Sequence, residues 1–209
     1  MMFENIEQQS PEWYEVKIGK VGASRLADVM AEGKGGKPSA TRANYMYELL
    51  TARLTGEYQQ TYQSPEMLRG IELEPEARRK YEIVTFNEVK QVGWIPHPEI
   101  EMCGCSPDGL VDDDGLIEIK CPNTKTHLET VLHGKIDRSY MLQMQWQIEC
   151  SGRDWCEFVS YDPRLPENIQ MCIIRVDKNQ EVIDSIKTAV QDFLSELAEL
   201  ENKIRSLNT

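Results

Sequence analysis

Two carboxylates and an amine lie close together in the run Cys105-Ser-Pro-Asp-Gly-Leu-Val-Asp-Asp-Asp-Gly-Leu-Ile-Glu-Ile-Lys-Cys121. Glu118 and Lys120 are two residues apart in alternating, strand-like sequence, so they project from one face while Ile119 projects from the other. Asp112-Asp113-Asp114-Gly115 ends in an Asp-Gly pair between apolar segments, which predicts a hairpin turn. That hairpin would fold Asp108 back beside Glu118 and Lys120, with Pro107 suited to a bend or sheet edge. Such a grouping suits a hard cation. Mg²⁺ takes oxygen ligands, typically one or two carboxylates completed by water and substrate phosphate oxygens. Asp108 and Glu118 supply the carboxylates, the Ile119 backbone carbonyl a further oxygen, and Lys120 lies within reach of an attacking water. The competing reading makes Asp108 a turn residue beside Gly109 and Glu118 with Lys120 a solvated ion pair.

The flanking sequence must position these groups. Ser10-Pro-Glu-Trp13 reads as a helix start, a capping residue followed by proline. Residues 41–55 and 65–86 read as helices, as do 126–132 and 139–151. Strands are predicted over 92–96, 100–105, 116–121, 155–161 and 170–176, joined in one mixed sheet. A long C-terminal helix carries Val182, Ile183, Ile186, Ala189, Val190, Phe193, Leu194, Leu197, Leu200, Ile204 and Leu207 at three- and four-residue steps. Asp177 and Gln180 resemble a capping box for it. The stripe reads most simply as core, with a partner or subunit contact as the alternative. Glu32-Gly-Lys-Gly-Gly-Lys-Pro38 is glycine-rich and basic but lacks the Gly-Lys-Ser/Thr ending of a nucleotide-binding loop, so a surface loop is expected.

The run SPDGLVDDDGLIEIKCP resembles the core of the PD-(D/E)XK nuclease superfamily, and in particular the lambda exonuclease or YqaJ-type viral recombinase family. Further segments match that family in order: residues 13–24 its N-terminal motif, 69–77 a helix with an additional acidic residue, 140–145 a glutamine helix, and 161–164 a following loop. The resemblance implies an α/β fold with a restriction-endonuclease-like core, a central mixed β-sheet flanked by helices. It implies a Mg²⁺-dependent 5′→3′ exonuclease, with Mn²⁺ as a substitute, acting on double-stranded DNA ends. The products would be mononucleotides and a 3′ single strand for recombination. The same core also serves endonucleases, exonucleases of opposite polarity and non-catalytic end-binding proteins.

By the same resemblance Asp108, Glu118, Lys120 and Gln143 are catalytic, and Asp108, Glu118, Ile119 and Glu74 hold metal. Glu72 and Glu76 compete with Glu74 on the same helix. Gln143 would hydrogen-bond the water or Lys120. Lys17, Ser24 and Ser106 would bind a terminal 5′ phosphate, with Trp13 packed beside them. The chain departs from the family pattern at Lys17, where arginine is expected, and at Thr126, which replaces an arginine. Lys125 and Arg138 are alternatives for compensation. A homotrimeric ring and a single-strand annealing partner are also implied.

Length and composition bound the rest. With 209 residues, 40% hydrophobic and 28% charged, a single globular domain over 1–209 is expected. No apolar run nears the roughly 18 residues needed to span a bilayer, and the acidic start is unlike a signal peptide, so no membrane association and a cytoplasmic location are expected. The six cysteines form no CxxC pair, which argues for buried thiols over zinc or an iron–sulfur cluster. The net charge of −12 opposes broad electrostatic binding of nucleic acid, unless positive charge is concentrated locally or the substrate is encircled.

Overall fold

The computed structural model describes residues 6–33, 35, 39–58 and 63–208. Lys34 and residues 36–38 of the expected glycine-rich loop lie outside them. Strands span Val21–Gly22 (β1), Val89–Lys90 (β2), Ile95–Pro96 (β3), Cys103–Cys105 (β4), Gly109–Val111 (β5), Gly115–Lys120 (β6), Trp155–Tyr161 (β7) and Met171–Asp177 (β8). Helices span Pro11–Val16 (α1), Leu26–Val29 (α2), Ala40–Thr55 (α3), Pro65–Thr85 (α4), Thr124–His133 (α5), Arg138–Ser151 (α6) and Gln180–Arg205 (α7).

The strands form two sheets where one was expected. The larger has the order β2-β5-β6-β7-β8, and a small one joins β1, β4 and β3. Within the small sheet Gly104 permits the close pairing of β4 with β3, since a Cβ there would collide with the Ile95 carbonyl and the Trp94 ring. In the larger sheet β6 and β7 are parallel and the other pairs antiparallel, giving the mixed sheet the sequence implied.

Alternation along β6 divides the core. Ile117 and Ile119 face α4, where Ala77 and Tyr81 pack with Val159 and Tyr161. Leu116 faces the opposite layer, built from α6, α7, α2 and α3. Helix α7 belongs to that layer: Ile183, Ile186, Val190, Phe193 and Leu197 are fully buried, so its stripe is core. At roughly 1.5–3 kcal/mol for each large apolar side chain removed from water, these residues make α7 a principal stabiliser of the layer holding α6 in place.

Local chemistry sets the boundaries. Ser10, Ser39, Ser64, Asn123 and Asp137 cap α1, α3, α4, α5 and α6 by accepting a first-turn N–H. For α7 the cap is Asn179, whose side chain accepts from Val182 N, and not the expected Asp177–Gln180 pair. Asp177 instead ends β8, and its carbonyl accepts from Gln145. The β5–β6 hairpin forms as predicted, with different turn chemistry. Val111 pairs with Gly115, and the left-handed residue is Asp112, φ 46°. Gly115 lies on the strand because a Cβ there would enter the Trp155 ring. All six cysteines are free, five of them buried and Cys172 half-buried.

Candidate active site

The register of the hairpin builds the site. Gly109 is opposite Ile117, so one step further would place Asp108 opposite Glu118 and Pro107 opposite Ile119. Pro107 has no N–H to offer the Ile119 carbonyl. The pairing stops there, and the Ile119 N–H donates to Asp108 Oδ2 at 2.6 Å. The Ile119 carbonyl faces the same uncovered edge, because both backbone groups of a strand residue point toward one neighbour. The Pro107 carbonyl accepts from Gln8 Nε2 at 2.8 Å, and the same amide reaches the Val92 carbonyl at 2.9 Å. Gln8 thus straps the N-terminal segment over the loop that presents Asp108.

Glu118 is 1% exposed and has three hydrogen-bonding partners. Gln143 Nε2 donates to Oε1 at 2.7 Å, Gln147 Nε2 donates to Oε2 at 2.6 Å, and the Lys120 ammonium contacts Oε1. Gln143 and Gln147 are one turn apart on α6 and share the face turned to β6. Gln143 therefore binds Glu118, where Lys120 or a water was expected as its partner.

Electrostatics join the acidic groups. Burial raises the Asp108 pKa well above the carboxylate range, Glu118 and Glu74 add to the rise, and Lys120 and the Ile119 N–H oppose it. For Lys120 burial favours the neutral amine, but Glu118 and Asp108 outweigh it and hold the pKa above the ordinary lysine value. Its Nζ lies 5.1 Å from the Tyr140 ring centroid. Burial also raises Glu74, with Arg78 pulling down and Glu118 pushing up.

Among the three acidic candidates on α4, Glu74 is thus the one that feels the cluster. Glu76 accepts from Tyr161 at 2.6 Å, and Glu72 is exposed. Glu74 is itself held by Arg78, and no group of three or more His, Cys, Asp or Glu side chains forms a ready-made metal cluster among the described residues. The donor set that fits a hard cation is smaller: the Asp108 and Glu118 carboxylates and the Ile119 carbonyl. Mg²⁺ sites of this kind are completed by water and phosphate oxygens. Three mutually repelling carboxylates face two cations, Lys120 and Arg78, and leave an excess of negative charge that such an ion would balance.

A second cluster adjoins this one. Trp13 Nε1 donates to Ser106 Oγ at 2.9 Å and to the Gly93 carbonyl at 3.0 Å, while Ser106 Oγ donates to the same carbonyl at 2.5 Å. The Lys17 ammonium sits 3.3 Å from the Trp13 ring centroid, and burial lowers its pKa to about 7. Lys17 and Ser24 line one cavity of about 270 Å³ with Lys20, Arg25, Tyr45 and Tyr58. Arg25 is committed to Asp28 and Glu48, whereas Lys17 and Lys20 have no carboxylate partner among the described residues. Lys125 and Arg138, the alternatives for compensation, are exposed at the starts of α5 and α6 and do not line this cavity.

The structure therefore brings together Asp108, Glu118, Ile119, Lys120 and Gln143, with Glu74 beside them behind Arg78. It joins Trp13, Ser106 and Lys17, and places Ser24 on the lining of the cavity that Lys17 also lines. Gln147 and Gln8 were missed. The four-residue spacing of Gln143 and Gln147 on a helix was the available signal for the first, whereas nothing local marks Gln8.

The family model described as "YqaJ-like viral recombinase domain" matches residues 12–154. Among solved structures, the chain is similar to an alkaline exonuclease (LHK-Exo) from Laribacter hongkongensis, at 47% identity and a TM-score of 0.89 over 95% of this chain and 98% of that one. It is likewise similar to LHK-Exo in complex with dAMP, at 48% identity, with the same TM-score and coverage. A phage-related exonuclease from Haemophilus somnus 129PT, 19% identical with a TM-score of 0.68 over 88% of this chain and 96% of that one, shares the fold. No curated protein matches the chain.

Proposed function

The chain belongs to the YqaJ-like viral recombinase domain family, and on that premise we propose that it is a Mg²⁺-dependent exonuclease that digests double-stranded DNA from the 5′ end. Mn²⁺ would substitute for Mg²⁺. The observation that carries the reading is the convergence of Asp108, Glu118 and Lys120 at the uncovered end of β6. The chain's similarity to the alkaline exonuclease LHK-Exo, and to the same protein in complex with dAMP, supports a DNA substrate and a mononucleotide product.

A divalent cation at this site would supply a nucleophile from water at neutral pH and neutralise charge on the leaving oxygen. The chain's own groups do the rest. Asp108 is fixed by the Ile119 N–H at the open edge, and Glu118 is fixed by two amides of α6 on the adjoining face of β6. Lys120, kept charged by its carboxylate neighbours, orients the attacking water and offsets negative charge on the phosphoryl oxygens. Arg78 holds Glu74 beside the ion's position.

End recognition falls to Lys17, Ser24, Ser106 and Trp13, with Lys20 as a second ammonium. Ser106 and Asp108 are two residues apart, at most about 7 Å of chain, a span that one nucleotide bridges. A 5′ phosphate held at Ser106 would thus set the next phosphodiester near Asp108, which supports mononucleotide release. Ser106 must rotate its hydroxyl from the Gly93 carbonyl to donate to that phosphate. A homotrimeric ring and a single-strand annealing partner complete the reading by family likeness.

The test is a linear duplex, with and without 5′ phosphate and with and without Mg²⁺, labelled at either end and resolved by product size. Mononucleotides from the 5′ end, dependent on Mg²⁺ and abolished by Asp108→Ala with DNA binding retained, are expected. Release of the 3′ label first overturns the polarity, internal fragments indicate an endonuclease, and unchanged activity in Asp108→Ala removes the site. Light scattering should give three chains, and a monomer refutes the ring.

A further inference from the structure

The Glu118 carboxylate is more constrained than a metal ligand needs to be. A carboxylate offers about four lone-pair positions, two on each oxygen. On Oε1 both are used, by Lys120 and Gln143. On Oε2 one is used, by Gln147, which is fully buried. One position remains for a cation. The two amides pull on opposite oxygens from one face of α6, so the carboxylate can neither pivot about its terminal bond nor exchange one oxygen for the other.

The donor sense of Gln147 is fixed as well. A carboxylate only accepts, so the amide presents its N–H₂ to Glu118, and its Oε1 turns to the buried Cys156 thiol on β7, 4.0 Å from Sγ. Cys156 pairs with Leu116 in the parallel β6–β7 register, so the thiol is anchored on the strand next to the one that carries Glu118.

We propose that Gln147 is a positioning residue that sets the metal preference of this site, by holding Glu118 so that one lone pair of Oε2 meets the cation in a fixed direction. The inference rests on the metal-site reading given above. Mg²⁺ demands near-ideal octahedral geometry at short distance, whereas Ca²⁺ accepts six to eight oxygens in flexible arrangements. A rigid single-oxygen ligand favours the first. Without Gln147 the carboxylate is tethered through Oε1 alone, Oε2 swings with two open lone pairs, and Mg²⁺ loses more than Ca²⁺ does.

The experiment titrates Mg²⁺ and Ca²⁺ separately into the metal-free full-length protein by calorimetry, for the parent chain, Gln147→Met and Gln147→Asn. Methionine keeps the volume and removes the donor. Asparagine keeps the donor but cannot span the distance, and thermal melts in EDTA confirm that each variant is folded. Loss of an amide supporting a ligand typically weakens metal binding about 10–100-fold, so Mg²⁺ affinity should fall by that order in both variants. Ca²⁺ affinity should change less, shifting the Mg²⁺ to Ca²⁺ ratio about tenfold. A ratio within about twofold of the parent in both folded variants overturns the role of Gln147 and leaves the metal site standing. Absence of Mg²⁺ binding in the parent chain refutes the metal-site reading itself.

Discussion

Replacing Lys120 with methionine removes the one ammonium facing three carboxylates while keeping the length of the side chain. Glu118 would stay 1% exposed, hydrogen-bonded to Gln143 and Gln147 but with no cation. Breaking a buried ion pair by deleting one partner costs about 3–5 kcal/mol. Lys120 is 26% exposed, so solvent already screens part of the attraction and about 2–4 kcal/mol is expected. For a chain of 209 residues each kcal/mol moves Tm by about 2–4 °C, a fall of about 4–16 °C. The pH dependence fixes the cause. Without Lys120 the repelling carboxylates take up a proton in the folded state at higher pH than in the unfolded chain. The folded state then binds more protons, so its stability falls as pH rises. The deficit of Lys120→Met should therefore be larger near about pH 8 than near about pH 5.5, and adding Glu118→Gln should recover part of it. Circular dichroism melts in EDTA measure this. A variant melting within about 1 °C of the parent at alkaline pH, or a deficit that grows on acidification, refutes the electrostatic account.

Asp108→Asn keeps an acceptor for the Ile119 N–H and removes one of the like charges, so the metal-free protein should melt no lower than the parent. The Mg²⁺-induced gain, about 2.7 kcal/mol at a hundredfold excess over Kd, should vanish in that variant, as melts with and without Mg²⁺ would reveal. Lys17 is a cation chiefly below its lowered pKa of about 7, so the rate advantage of 5′-phosphorylated over 5′-hydroxyl duplexes should fade as pH rises through that value. The folded state disfavours this charge, so Lys17 costs stability below about pH 7, and the cost is relieved as pH climbs toward the unfolded lysine value. A flat rate ratio, or one unchanged in Lys17→Gln, speaks against its role in end binding. If Lys17 and Lys20 carry most of the phosphate contact, the slope of log affinity against log salt should be shallow, about −2 for two neutralised phosphates. A slope steeper than about −6 in a titration series would point to a broad basic surface.

The candidate site was legible because its order is local. Asp108, Glu118 and Lys120 lie within one hairpin, where strand alternation and chain reversal fix which side chains meet. The start of α1 was legible for the same reason, Ser10 being adjacent to the turn that it caps, whereas at α7 Asn179 caps in place of nearby Asp177. The division into two sheets was not, since it depends on pairings between distant segments, such as Val21 with Cys103. The Asp-Gly pair named the hairpin but not its left-handed residue, because Trp155, forty positions away, requires glycine on the strand. Gln147 and Gln8 act at sequence separations of 29 and 99, on Glu118 and Pro107; helical spacing from Gln143 was a local signal for Gln147, but nothing local marks Gln8. Among the described residues, no helix is long and apolar enough to cross a membrane.

The early end of β5 ties sequence to chemistry. Were the hairpin to continue, residue 107 would face Ile119 in a hydrogen-bonded pair and consume both of its backbone groups. Proline at that place withholds the N–H that would engage the Ile119 carbonyl, and its own carbonyl is drawn off by Gln8. Ile119 is left with an N–H for Asp108 and a carbonyl on an open edge. One missing hydrogen atom thus orients a carboxylate, exposes a backbone oxygen and stops the ladder short of Glu118 and Lys120. A residue with an N–H at 107 could extend β5 by a pair and draw Asp108 into the ladder, turning its side chain off the edge. The spacing of proline, aspartate, glutamate and lysine follows from strand register, with the proline needed as much as the acids.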